Sequence, residues 1–86
     1  MIEEFERHLR GTNLSENTIS SYLFALRQYS SQYGGITKKT LRAYKVWLIE
    51  NYKPKTVNLR LRAINCYLES IGKESWKMQF VRVQQK

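Results

Sequence analysis

The chain has 86 residues, 42% of them hydrophobic, with 4 Gly and a single Pro, enough for one domain with one modest core and few loops. With one cysteine, Cys66, and one histidine, His8, an internal disulfide is excluded, no metal or cofactor site is expected, and a reducing, intracellular compartment is. The net charge of +8 is unevenly held: residues 1–33 carry four acids and three bases, whereas residues 34–86 carry twelve bases against Glu50, Glu69 and Glu74.

A basic half of this kind attracts polyanions, either nucleic acid or acidic membrane; the plain alternative is a lysine-rich soluble surface. The first twenty residues hold Glu3, Glu4, Glu6 and Glu16 and no unbroken apolar run, so no secretory leader is expected. No stretch reaches the roughly 18 apolar residues of a membrane span.

Four amphipathic segments follow in chain order. In the first, Ile2, Phe5 and Leu9 share one helical face and Gly11 ends the run. The second begins with Ser15 as N-cap and Glu16 at the positive helix end; Ile19, Tyr22, Leu23, Leu26, Tyr29 and Tyr33 form its stripe, and Gly34-Gly35 close it. Thr37 caps the third, with Ile36 just outside as a staple residue. Its inner stripe is Leu41, Tyr44 and Leu48, with Val46 or Trp47 at the margin. Pro54 suits the first turn of a fourth helix, whose stripe is Val57, Leu61, Ile64, Leu68 and Ile71, and Gly72 is its stop. From residue 73 the character changes. Trp76, Met78 and Phe80 alternate with Lys77 and Gln79, an extended pattern without a partner sheet. Residues 73–86 are therefore expected to be a linker, or a segment laid across another domain, mobile or loosely docked here, with no obvious place for Trp76 or Phe80 in a four-helix core.

Catalytic patterns are missing from this chain. It contains no Asp, no glycine-rich phosphate loop after a strand, and no His–Cys cluster. His8 beside Leu9 and Arg10 reads as a surface or packing histidine, Cys66 as a packing thiol, and the six tyrosines as core or rim.

The fourth helix carries the strongest functional signal. Lys55, Asn58, Arg62 and Asn65 are spaced three, four and three residues apart, which aligns them on the face opposite the apolar stripe. Lysine and arginine neutralise phosphates, and asparagine and arginine can hydrogen-bond base edges in a major groove. Thr56 lies in the first turn, where free N–H groups suit a phosphate, and Arg60 lies on the opposite flank. A solvated face is the alternative, but such faces usually mix signs, and no acid occurs between Lys53 and Arg62. Lys38, Lys39, Arg42 and Lys45 form a second acid-free run on the third helix.

The segment Leu14-Ser15-Glu16-Asn17-Thr18-Ile19-Ser20-Ser21-Tyr22, followed by Leu26 and Tyr29, resembles the opening of the core-binding domain of tyrosine recombinases of the phage-integrase type. Lys55-Thr56-Val57-Asn58-Leu59-Arg60-Leu61-Arg62-Ala63-Ile64 is similar to the second Thr-hydrophobe helix of that family, and Tyr67 to Gly72 with Val81 to Gln84 to the stretch leading into its catalytic domain. The resemblance implies an all-α, four-helix bundle of SAM-like topology over residues 1–72, with an extended C-terminal linker over 73–86. It implies a domain that clamps one side of double-stranded DNA while the parent protein's C-terminal catalytic domain grips the other, for integration and recombination. That larger domain uses a tyrosine nucleophile with arginines and a His-x-x-Arg element; here His8 is followed by Leu9, Arg10 and Gly11, so no tyrosine of this chain inherits the role. The chain as given is expected to be non-catalytic and monomeric, within a prokaryotic or phage-derived cytoplasmic protein that assembles as a tetramer on DNA. Carried over by position, the DNA-facing candidates are Asn17, Thr18 and Ser21 on the second helix and Lys55, Thr56, Asn58, Arg60 and Arg62 on the fourth, joined by Lys38 and Lys39 from the basic run. Two readings compete with this one: a small stand-alone helical DNA-binding regulator, and a basic bundle that meets an acidic protein.

Overall fold

The computed structural model describes residues 1–83. Four helices follow in order: α1 (Ile2–Arg10), α2 (Glu16–Tyr33), α3 (Lys38–Asn51) and α4 (Pro54–Ser70), and a 3-10 turn (Glu74–Trp76) follows α4. No strand occurs among the described residues.

The helix ends form where the local chemistry requires. Ser15 Oγ accepts the Thr18 N–H at 3.2 Å, and Thr37 and Thr40 make a reciprocal capping box, each side chain serving the other's backbone N–H. Pro54 occupies the first turn of α4, where its missing N–H costs nothing. At the other end of α4, Gly72 takes φ 76°, its N–H bonds to the Glu69 carbonyl, and the Lys73 N–H bonds to the Leu68 carbonyl at 2.8 Å. That is the paired-bond stop in which a left-handed glycine reverses the chain. Gly11 ends α1 differently, in right-handed backbone with φ −78°.

α4 is the central helix. Val57, Leu61, Ile64 and Leu68 are buried against Phe5 and Leu9 of α1, Ile19, Leu23 and Leu26 of α2, and Leu41, Tyr44 and Leu48 of α3. Trp47 is half-buried and stacks on Tyr44, whereas Val46 faces solvent, which decides between the two marginal residues of α3. Ile71, expected at the end of the α4 stripe, is exposed because the helix has already stopped. Tyr29 and Tyr44 are fully buried without orphaned hydroxyls: Tyr29 donates to the Gly35 carbonyl and Tyr44 to Gln28 Oε1, both at 2.8 Å.

Of the expected loose linker, residues 84–86 lie outside the described residues, and the described part, 73–83, is not loosely attached. Residues 77–83 lie back along the seam between α3 and α4, with Trp76, Met78 and Val81 packed against the core. The alternation expected through Phe80 does not hold, since Phe80 is exposed and the inward positions are Met78 and Val81, three residues apart. Lys77 has φ −56° and ψ 142°, the polyproline-type backbone whose side chains repeat every third residue.

Candidate nucleic-acid interface

Two asparagines on α4 anchor this segment. Asn65 Oδ1 accepts the Met78 N–H at 2.8 Å, and its Nδ2 donates to the Met78 carbonyl at 2.9 Å. Asn58 repeats the arrangement one step along, with Val81, at 2.8 and 2.9 Å. The sequence stripe placed Asn58 and Asn65 on an open outer face. In the structure Asn65 is buried and Asn58 half-buried, because the chain returns over that face and occupies both ends of each amide.

The docked segment has basic side chains on both flanks. On the α3 side, Lys38, Arg42 and Lys45 border an open groove with Trp76 and Met78; Lys45 Nζ donates to the Gln79 carbonyl at 2.6 Å, and Lys38 and Lys73 lie 5.9 and 4.1 Å from the centre of the Trp76 ring. On the α4 side, the Arg62 guanidinium lies 5.8 Å from the Phe80 ring centre. Where the segment reaches the start of α4, Arg82 borders a shallow cleft with Lys53, Lys55 and Thr56. The first turn of α4 contains no acid, and no side chain caps it.

Few of these charges are neutralised. Among the described residues the ion pairs are Arg10 with Glu6 and Glu16, and Lys77 with Glu69. Lys38, Arg42, Lys45, Lys55, Arg62 and Arg82 take part in none of them. A solubility surface would intersperse carboxylates here; uncompensated cations on one face raise the local potential and attract a polyanion.

The other expected contact residues divide. Lys38, Lys39, Lys55 and Arg62 are exposed and Thr56 half-exposed on α3 and α4. Arg60 turns to the α2 side, its guanidinium 4.5 Å from the Phe24 ring centre and 5.5 Å from that of Tyr52, with Nε buried and unbonded. Asn17 is exposed, while Thr18 braces its own helix start through the hydroxyl it shares with Ser15. No hydrogen bond or ion pair joins Asn17, Thr18 or Ser21 to the basic strip among the described residues. Sequence reasoning passed over Lys53, Lys77 and Arg82 as contributors to this face. One signal was available: asparagine is a weak helix former, so two of them seven residues apart inside a stable helix call for a bonding partner.

The family model described as phage integrase, N-terminal SAM-like domain, matches residues 1–78. The chain belongs to this family. No curated protein and no solved structure matches it. The match extends through the 3-10 turn to Met78, so in this phage-integrase N-terminal domain the start of the docked segment is part of the family pattern.

Four of the six tyrosines of this integrase domain are shifted away from nucleophilic chemistry. Burial pushes the hydroxyls of Tyr22, Tyr29, Tyr44 and Tyr67 above their ordinary range, Tyr44 most strongly, and it raises the Cys66 thiol as well. An activated nucleophile requires the opposite shift or an adjacent base. No cluster of three potential metal ligands occurs among the described residues, and no described helix is long and apolar enough to cross a membrane.

Proposed function

We propose that this domain binds duplex DNA without catalysing chemistry, as the clamp-forming N-terminal part of a site-specific tyrosine recombinase whose catalytic domain supplies strand cleavage and rejoining. The observation that carries the reading is the strip of uncompensated cations on α3, α4 and the docked segment: Lys38, Arg42, Lys45, Lys55, Arg62 and Arg82, within a domain of the integrase family. Long cationic side chains at this density suit phosphates. Arg62 is the residue assigned a base edge as well; that its guanidinium lies beside the exposed Phe80 and is in no ion pair among the described residues supports this assignment. In this reading Asn58 is assigned to the docked segment rather than to a base, because its amide bonds both main-chain polar groups of Val81.

Half of a clamp binds weakly and electrostatically. With about four to six phosphates neutralised, log K should fall against log salt with a slope of roughly −4 to −5. Titration of a fluorescent duplex with the purified chain at several salt concentrations tests this. Absence of any binding at low salt, or binding that salt does not weaken, would refute the reading; the first outcome favours an acidic protein partner and the second a chiefly apolar contact.

A further inference from the structure

We propose that Asn58 and Asn65 form a two-point clamp that reads the main chain of residues 78–81 and fixes the register of the C-terminal segment on α4. The inference is independent of DNA binding. Its ligand is an extended polypeptide with a three-residue step, held here in cis.

Three observations converge on it. Each asparagine bonds both polar groups of one residue, the N–H and the carbonyl, so each amide acts as a short piece of neighbouring strand. The spacing agrees: seven residues of α-helix rise about 10.5 Å, and three residues of extended chain span about 9–10 Å. One helix can therefore present two amides at the repeat of a polyproline-type segment. Finally, the side chains at the two clamped positions, Met78 and Val81, are the ones that pack on the core, while Lys77, Gln79, Phe80 and Arg82 are exposed.

Polarity and hydrogen bonding thus select one register together. A slip of one residue in one direction turns Gln79 and Arg82 inward, and in the other direction Lys77 and Phe80. Either slip buries a charged side chain where no carboxylate awaits it, at a cost that the unchanged backbone bonds do not offset. The clamp itself is indifferent to side chains except at a proline, which lacks the N–H that each asparagine accepts. The site is accordingly specific for an apolar-x-x-apolar segment with free main-chain N–H groups at both ends.

Residue-resolved amide exchange on the full chain tests this. Met78 and Val81 amides should exchange about fivefold more slowly than those of Gln79 and Phe80, the order of protection that one net hydrogen bond of about 1 kcal/mol confers. In the double variant Asn58→Leu/Asn65→Leu, which keeps apolar bulk but removes both amides, that difference should vanish while Leu61 and Ile64 amides in α4 stay protected. Gln79→Ala and Phe80→Ala should leave the pattern unchanged. Uniform exchange across 78–81 in the native chain, or full protection of Met78 and Val81 in the double variant, overturns the proposal. Should the double variant fail to fold, Asn58→Leu alone, at a half-buried site, must release Val81 and spare Met78; persistent Val81 protection overturns the clamp equally.

Discussion

The side-chain amide of Asn65 pairs with both main-chain polar groups of Met78, accepting the N–H at 2.8 Å and donating to the carbonyl at 2.9 Å, at a position only 9% exposed. A buried amide in such a pair is sensitive to the loss of either half, because the group left behind has been desolvated without compensation.

Asn65→Asp removes the donor and keeps the acceptor. Its carboxylate still receives the Met78 N–H, but the second oxygen then faces the Met78 carbonyl; the protonated acid restores a donor there. Burial and that repulsion both favour the neutral form, so the folded-state pKa of the new carboxyl lies above its unfolded value. The variant's stability is therefore greatest at low pH and falls as pH rises through the folded-state pKa. Urea unfolding against the native chain should show a deficit of about 1–3 kcal/mol at neutral pH that shrinks toward pH 4. A deficit independent of pH would mean the carboxyl has swung out of the site.

Gly72 and Gly35 should answer differently to alanine. Neither has an atom within 4 Å of an added Cβ, so space does not separate them; backbone does, because Gly72 sits at φ 76° and Gly35 is not in the left-handed region. Gly72→Ala should cost about 1 kcal/mol through left-handed strain. Gly35→Ala should be neutral or stabilising by about 0.5 kcal/mol, since it restricts the unfolded chain. Chemical denaturation of the two variants side by side decides the matter, and equal effects would contradict it.

Tyr44 gives the fold an alkaline limit. Its hydroxyl is buried, donates to Gln28, and is held well above the ordinary phenol range chiefly by desolvation. A group whose folded pKa is raised contributes stability that is complete below its unfolded pKa, near 10 for tyrosine, and is lost as pH climbs toward the folded value. Stability should therefore decline above about pH 10. Tyr44→Phe should cost about 1 kcal/mol at neutral pH, from the hydroxyl's bond to Gln28, but flatten that decline. An equally steep loss in the variant would place the alkaline sensitivity on other groups.

Lys55→Ala and Arg62→Ala should each reduce the salt slope of duplex binding by about one, as expected when one phosphate contact disappears. Arg7→Ala, an exposed change on α1, should leave the slope alone and serves as the control. If Lys55 and Arg62 behave like Arg7 while helicity is intact, the α4 side of the strip is not the contact surface, and Lys38, Arg42 and Lys45 on α3 become the residues to test.

Ser15, Thr37, Pro54 and Gly72 marked helix ends in the sequence because capping chemistry acts within a few residues, and the stripe from Val57 to Leu68 announced a buried helix because its period is intrinsic to the chain. The basic excess on α3 and α4 was equally legible, since charge needs no partner to be counted. The course of residues 77–83 was not. Their hydrogen-bond partners lie 13 and 23 residues earlier in the chain, and a segment without internal hydrogen bonds has no local contacts that specify where it docks. On the helical wheel Asn58 and Asn65 shared a face with Lys55 and Arg62, and beyond asparagine's weak helix propensity nothing local separates an asparagine that meets solvent from one that holds a strand. Only the return of the chain over α4 made that distinction: it buried the two amides, left the two cations outside, and moved the open basic surface to the flanks of the docked segment.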